Sequence, residues 1–378
     1  MGNSKKIILV ANAAFTITNF RKELIEKFVD MNYQVIVACP SSCTLSGEND
    51  VSLGIGLLGA THFAIPLSRS GINPFSEIKL LLSLIGLFRK EQPDVVLNYT
   101  IKPTIYGSIA ASVCRKTKIF STITGLGYLF TSRSIKSKLL NLVVRIQYYI
   151  ALRRNTLVFF QNSDDLRLFE EIGLLKGIAT KIVNGSGVNL AEFQPSEHEK
   201  RNNSFIMIGR ILKDKGVEEY IEAARILKMK YPDALFQLLG PMDNNPAAYN
   251  MQDVQSWQEE GIIEYIPPTS DVRPYLARTE VFVLPSYREG TPRSTLEAMA
   301  MGMPVVTTDA PGCKETVTDD VNGFQVSVRN HRELADAMEK FILNDSLLIG
   351  MGRESLKLAR LKYDVNVVNE SIVGEVVG

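Results

Sequence analysis

The sequence predicts an α/β protein made of two β-α-β stacks in tandem. Three observations predict it. Apolar, β-rich runs recur along the chain, continuous rather than alternating, as in strands of a parallel sheet buried on both faces. Helical periodicity fills the intervals between them. A stretch without an aliphatic or aromatic residue, QPSEHEKRNN at 194–203, divides the runs into two sets, and 378 residues suit two domains of about 180.

The first set reads KIILVANAAF (6–15), YQVIVACP (33–40), DVVLNYT (94–100), KIFSTITG (118–125) and TLVFFQN (156–162). The second reads SFIMIGRI (204–211), ALFQLLG (234–240), IIEYIPP (262–268), VFVLPSY (281–287) and PVVTTD (304–309). Helical patterns follow around 330–343 and 345–362, and YDVNVVNESIVGEVV closes the chain as an apolar-periodic tail that must pack on something. The expected organisation is a first domain over 1–190, a linker over 191–203 and a second domain over 204–362, with the tail 363–378 packing back on the first.

At 45% hydrophobic and 22% charged residues, the chain can bury a sizeable core without staples. The start, MGNSKKIILVANAAF, has a signal-peptide look. Its apolar run is short, however, and Asn12, Asn19, Arg21 and Lys22 follow without a cleavage context, so a first buried strand is expected. Lys6 stands where a myristoylation signal needs Ser or Thr. The run from Ile78 to Phe88 contains Lys79 and is too short to span a bilayer, so no transmembrane segment is expected. Cys39 and Cys43 lack a second pair or a well-placed histidine, and Cys114 and Cys313 are scattered. Reduced, buried thiols in a cytosolic setting are expected, with no metal site. None of His62, His198 and His331 is placed as a catalyst.

The net charge of +1 conceals an asymmetry: residues 1–200 carry 23 Lys and Arg against 15 Asp and Glu, the remainder 19 against 26. No acidic residue lies between Asp94 and Asp164, a stretch with ten basic ones. A field of one sign over that length implies an anionic partner. Within it, 133–154 places Ile135, Leu139, Leu142, Ile146, Tyr149 and Ile150 at helical spacing, flanked by Lys136, Lys138, Arg145, Arg153 and Arg154. Such a basic amphipathic helix can lie on an anionic membrane; packed into a core, it would leave only a solvated basic edge. Nucleic acid fits poorly, because aliphatic residues interleave the basic ones and no binding motif is present.

Candidate site residues cluster in the second half. In PSYREGTPRSTLEAMAMGMPVV (285–306) a strand should end near Tyr287, with Thr291 as N-cap and Pro292 at the first position of a helix running to Met301 or Gly302. The backbone N–H groups at the helix start form an anion site at the carboxyl ends of the strands. Glu289 on the loop and Glu297 in the helix suit hydroxyl-bearing rings on either side of a phosphate. In IGRILKDKG (208–216), Arg210 and Lys215 lie on a βα loop, with Gly209 and Gly216 allowing tight turns. Together the loops suit a nucleotide-sugar.

The order G-R-x4-K-G, then S-x-x-E-G-T-P-x-x-x-L-E-A-M-A-x-G-x-P-V-V, then P-G-C-x-E resembles the retaining glycosyltransferases of family four, which have the GT-B fold. The resemblance covers nearly the whole chain and is most specific over 204–328. It implies two Rossmann-like lobes facing a cleft, a C-terminal lobe holding the nucleotide-sugar, and a last helix crossing back to the first lobe. It implies that Arg210 and Lys215 bind the diphosphate and that Glu297 binds the ribose hydroxyls. Glu289 would sit near the donor sugar, with the backbone at Gly290, Thr291 and Pro292 around it. Arg210, Lys215 and Glu289 are thereby the catalytic candidates. No D-x-D triplet occurs, so a carboxylate-bound metal is not indicated and no cofactor is expected beyond the donor.

The first lobe departs from the family pattern. STITGLGYLF (121–130) has no histidine where many members carry one, and ANAAFTITNFR lacks the usual glycines of the first βα loop. Asn19, Arg21, Lys102, Thr124, Gly125 and Gly127 are the acceptor-side candidates. Similar departures occur in members acting on lipid-linked diphosphate sugars. The resemblance therefore implies a UDP-sugar donor, with an N-acetylhexosamine such as N-acetylgalactosamine favoured. It implies an undecaprenyl-diphosphate-linked acceptor in O-antigen, capsule or related glycan assembly, with the enzyme peripheral on the inner face of the cytoplasmic membrane. A nucleotide-sugar 2-epimerase of the same fold and a non-catalytic assembly partner are the alternatives.

Overall fold

A computed structural model describes residues 4–41, 51–68, 73–125, 135–196, 200–243, 245 and 247–378, and the side chains from 140 onward in the helix Ile135–Leu152. The chain forms two compact units: Met1–Ser186 with Val368–Gly378, and Gly187–Val367.

The first unit is built on a seven-stranded sheet in the order β3-β2-β1-β4-β5-β6-β7, all neighbours parallel. Its strands are β1 (Lys6–Val10), β2 (Gln34–Cys39), β3 (Thr61–Ala64), β4 (Val95–Tyr99), β5 (Lys118–Ile123), β6 (Leu157–Phe160) and β7 (Thr180–Ile182). The second has six parallel strands in the order β10-β9-β8-β11-β12-β13. They are β8 (Ser204–Ile208), β9 (Leu235–Leu239), β10 (Glu264–Ile266), β11 (Val281–Leu284), β12 (Val305–Thr308) and β13 (Gly323–Val326). The expected ten runs are all strands. The three that the pattern missed, β3, β7 and β13, have three or four residues each, too few to establish a period.

The continuous apolar runs have the cause expected of them. Ile7 to Val10, Phe205 to Met207 and Val281 to Leu284 are all buried, because helices cover both faces of each sheet. Each order reverses once, between β1 and β4 and between β8 and β11. The crevice at the carboxyl ends of strands flanking such a reversal is the usual ligand position in an open α/β sheet.

The sequence reading put the domain boundary at 190/191 and a linker at 191–203; the compact units divide at Ser186/Gly187, and the polar stretch belongs to the second. Gly187 has φ +71, and Val188 forms a bridge with Asp364 inside that unit, so ordered pairing begins before the polar residues. The closing helix, Val365–Val377, delivers Val368, Ile372, Val373 and Val376 into the first unit's core beside Ile25, Phe28 and Val183. Lys181 pairs with Glu375 at 2.8 Å and Lys27 with Glu370 at 3.5 Å along its polar side. Among the described residues no helix is long and apolar enough to cross a membrane.

Candidate active site

The loops after β8, β9, β11 and β12 are locked together by backbone approaches that only glycine permits. Gly240 (φ +152) leaves β9 so close to β8 that an added Cβ would lie 1.8 Å from the Gly209 carbonyl oxygen. Gly216 (φ +75) ends the turn Lys213–Lys215 against the Pro285 carbonyl, 2.1 Å from an added Cβ. Gly312 (φ +82), of the P-G-C-x-E segment, lies beneath the carbonyls of Glu289 and Gly290, at 2.2 and 2.5 Å from an added Cβ. The Glu289 N–H donates to Pro311 O at 2.9 Å and the Tyr287 N–H to Asp214 O at 2.9 Å. Side chains on four loops are thereby held in one place.

Charged groups occupy that place in pairs. Lys215 Nζ is ion-paired with Glu289 Oε1, which also accepts from Ser286 Oγ at 2.8 Å. Arg210 Nη1 meets Asp243 Oδ2 at 2.7 Å, and Asp243 Oδ1 accepts the Asn245 N–H at 2.9 Å to close its own turn. The helix Arg293–Ala300 starts beside them with Pro292 as N-cap and no side-chain cap. The expected start was one residue earlier, with Thr291 as cap. Pro292 has an extended ψ of 112, so the helix begins only after it, and its carbonyl takes the N–H groups of Thr295 and Leu296. Ser294 Oγ donates to Ile208 O at 3.0 Å, fixing the helix N-terminus against the end of β8. The first N–H groups of a helix have no acceptor four residues back inside it, so this end favours an anion.

Glu297 lies one turn into that helix, 14% exposed, with Arg293 Nε 3.0 Å from its Oε1. Burial pushes its carboxyl above the usual range, the Arg293 guanidinium opposes that, and the nearby Glu192 carboxylate reinforces it. Ser286, the first residue of S-x-x-E-G-T-P, is marked by that motif, whereas Asp243 and Arg293 have no signal in the motifs. Asp243 lies in a loop with no recognisable spacing to Arg210, and Arg293 reads as an ordinary surface residue of a helix start.

The structure thus brings Gly209, Arg210, Lys215, Glu289, Gly290, Thr291, Pro292 and Glu297 to the carboxyl ends of β8 and β11. The acceptor-side candidates are less gathered. Asn19 lies in the short helix Ala14–Phe20. Arg21 is 8% exposed, its guanidinium 4.3 Å from the centre of the Tyr99 ring. Thr100, just past β4, has φ +75, a strained value for a β-branched residue. Lys102 Nζ is committed to Glu77 at 2.6 Å and to Ser68 O at 2.9 Å. Thr124 and Gly125 (φ +109) follow β5, and Gly127 lies outside the described residues.

Two parallel-sheet units, the second with an anion-seeking helix start and paired cations at its topological reversal, are the parts of a GT-B protein. The chain belongs to the family-four glycosyltransferases: residues 189–357 match the family "Glycosyl transferases group 1", and 6–162 match "Glycosyl transferase 4-like". It is 27% identical, over 96% of each chain, to the N,N'-diacetylbacillosaminyl-diphospho-undecaprenol alpha-1,3-N-acetylgalactosaminyltransferase of Campylobacter jejuni. It is 28% identical, over 82% of each, to the capsular polysaccharide biosynthesis glycosyltransferase CapM of Staphylococcus aureus. The UDP-Gal:alpha-D-GlcNAc-diphosphoundecaprenol alpha-1,3-galactosyltransferase of Escherichia coli is 27% identical over 76% of each. In fold the chain is similar to the sucrose-phosphate synthase of Thermosynechococcus elongatus, with TM-score 0.80 at 15% identity over 98% of each chain. The Anabaena HepE complex with UDP and glucose gives TM-score 0.77 at 18% identity, over 99% of this chain and 100% of that one.

Proposed function

We propose that this glycosyltransferase moves a sugar, favoured as an N-acetylhexosamine such as N-acetylgalactosamine, from a UDP-sugar to an undecaprenyl-diphosphate-linked sugar, with retention and without a metal. The observation that carries the reading is that the loops bearing Arg210, Lys215 and Glu289 meet at the uncapped start of the helix that carries Glu297. The names of the Campylobacter and Escherichia relatives support the acceptor class, and the latter the UDP donor.

In this reading the diphosphate lies against the start of the helix Arg293–Ala300. Arg210 and Lys215 exchange their carboxylate partners for phosphate oxygens, and Glu297 accepts from the ribose hydroxyls. Lys215 is released from Glu289 as the phosphate arrives, which frees the carboxylate to face the donor sugar. The bond from the anomeric carbon to the leaving phosphate oxygen breaks as the bond to the acceptor oxygen forms on the same face. The acceptor proton passes to the leaving phosphate oxygen, so no enzyme nucleophile is required. Two cations and the helix dipole stabilise the charge that develops there, and each charge-assisted contact contributes roughly 1.5–3 kcal/mol.

The first unit is proposed to meet an anionic membrane at the inner face of the cytoplasmic membrane. Leu142, Val143, Ile146, Tyr149 and Ile150 on the helix Ile135–Leu152 are exposed, while Val144, Tyr148 and Leu152 fill the core behind them. Arg145, Arg153 and Arg154 flank that exposed side in the sequence. The test is transfer itself, with chelator present, a panel of UDP- and GDP-sugars and a short-chain lipid-diphosphate N-acetylhexosamine. A product one sugar heavier, with the anomeric configuration of the donor, is expected from a UDP-N-acetylhexosamine. Donor isomerised without acceptor, or a stable glycosyl adduct on Glu289, would sink the reading.

A further inference from the structure

Arg293 stands where helix energetics would not put it. It is the first residue of the helix Arg293–Ala300, whose first turn carries no acidic residue. A cation there opposes the helix dipole, and a base four residues before an acid is the less favourable order of such a pair. Yet its side chain is only 10% exposed and carries two defined bonds. Nε meets Glu297 Oε1 at 3.0 Å, and Nη1 donates to the Gly187 carbonyl at 2.7 Å.

That carbonyl is a fixed point. Gly187 has φ +71, and a Cβ there would stand 2.5 Å from Val365 Cα. The neighbouring backbone is tied by Val188 N–H to Tyr363 O at 2.7 Å and Val365 N–H to Val188 O at 3.0 Å. The planar guanidinium is therefore aimed by one bond and grips Glu297 with another. The charged groups facing Glu297 are Arg293, on its own helix, and Glu192, on the turn after Val188. An ionised carboxylate has about four acceptor positions. With one taken by Arg293, enough remain for two vicinal hydroxyls; a protonated carboxyl becomes a donor and loses that fit.

We propose that Arg293 is a positioning residue for nucleotide recognition, holding Glu297 charged and oriented so that it accepts from both hydroxyls of a ribose. The inference rests on the reading of Glu297 as the ribose acceptor. Burial raises the Glu297 carboxyl and Arg293 opposes the rise, so loss of Arg293 raises it further and shifts ionisation toward higher pH.

The test is calorimetric titration of the full chain with UDP and with 2′-deoxy-UDP, from about pH 6 to about pH 9. The wild type should prefer UDP about tenfold or more throughout. Arg293→Met should weaken the preference, more so at the low end of the range, where the further-raised Glu297 ionises less readily, than at the high end. Glu297→Gln should lose the preference at every pH. Equal preference in wild type and a folded Arg293→Met at all pH values would overturn the role of Arg293 while leaving Glu297 as the ribose acceptor. A wild type indifferent to the 2′-hydroxyl would overturn both. Should Arg293→Met fail to fold, Arg293→Lys decides. An ammonium lacks the planar fork that holds Glu297 and the Gly187 carbonyl in a fixed relation, so the preference should fall about threefold or more, and an unaltered preference would overturn the proposal.

Discussion

The two units share a parallel sheet with one reversal of strand order, yet they place their charged and apolar side chains differently. The second unit draws charge inward, to Lys215–Glu289, Arg210–Asp243 and Arg293–Glu297 at the ends of β8, β9 and β11. Among its exposed large apolar residues, Met229, Met251, Leu343, Ile349 and Leu361 are scattered over four helices. The first unit does the reverse. Phe75, Ile78 and Leu82 are exposed on the helix Pro74–Glu91, and five more follow on Ile135–Leu152. Isolated exposed apolar residues need no explanation, but a row of them on one helix does. The difference teaches that a shared scaffold can be specialised by what its loops gather or what its helices leave uncovered.

The largest test of that division removes the tail. A chain ending at Val367 loses four buried aliphatic side chains from the first unit, each worth roughly 1.5–3 kcal/mol. Calorimetry should show the first unit's transition abolished, with UDP binding retained by the second; an intact transition would contradict the partition. Next, glutamine at Arg145, Arg153 and Arg154 together should weaken binding to vesicles of anionic lipid by up to about a hundredfold, at about 1 kcal/mol per charge. UDP affinity should stay unchanged, and undiminished vesicle binding would end the membrane assignment. Arg210→Ala should lower kcat/KM by roughly ten- to a hundredfold, from the loss of one charge-assisted contact. Asp243→Asn should tighten UDP binding by a few-fold, because the amide no longer competes with the diphosphate for Arg210; weakened binding would make Asp243 an orienting group instead. The smallest expected effect is none. Cys313 is buried beneath the site with its thiol pushed up to about 12, so a thiol reagent should leave it unmodified until the protein unfolds.

The fold and the donor-side residues were legible because they are written locally. Ten apolar runs became strands, Gly209, Arg210, Lys215 and Glu289 to Pro292 sit on loops whose turn residues announce them, and Glu297 follows in the helix those residues start. Partners that converge through space were not legible. Asp243 reaches Arg210 from thirty-three positions away, and Arg293 reaches the Gly187 carbonyl across more than a hundred. The stretch 133–154 is open in one respect in the sequence, since an amphipathic pattern gives a period but not which stripe is covered. Leu142, Ile146, Tyr149 and Ile150 lie on the uncovered side, whereas Val144 and Tyr148, outside that set, fill the core. Lys102, an acceptor candidate by its place after β4, is bound to Glu77 on the preceding helix, a partner with no motif to flag it.

The first unit is assembled from both ends of the chain, with Val368–Gly378 completing what Met1–Ser186 begins. On the ribosome its sheet can emerge and pair early, but its core stays open until Val368 to Val376 have been made. A nascent chain is thus exposed to proteases and chaperones through its oldest residues while its younger half is being made. A premature stop before Val368 would therefore damage a part synthesised long before it.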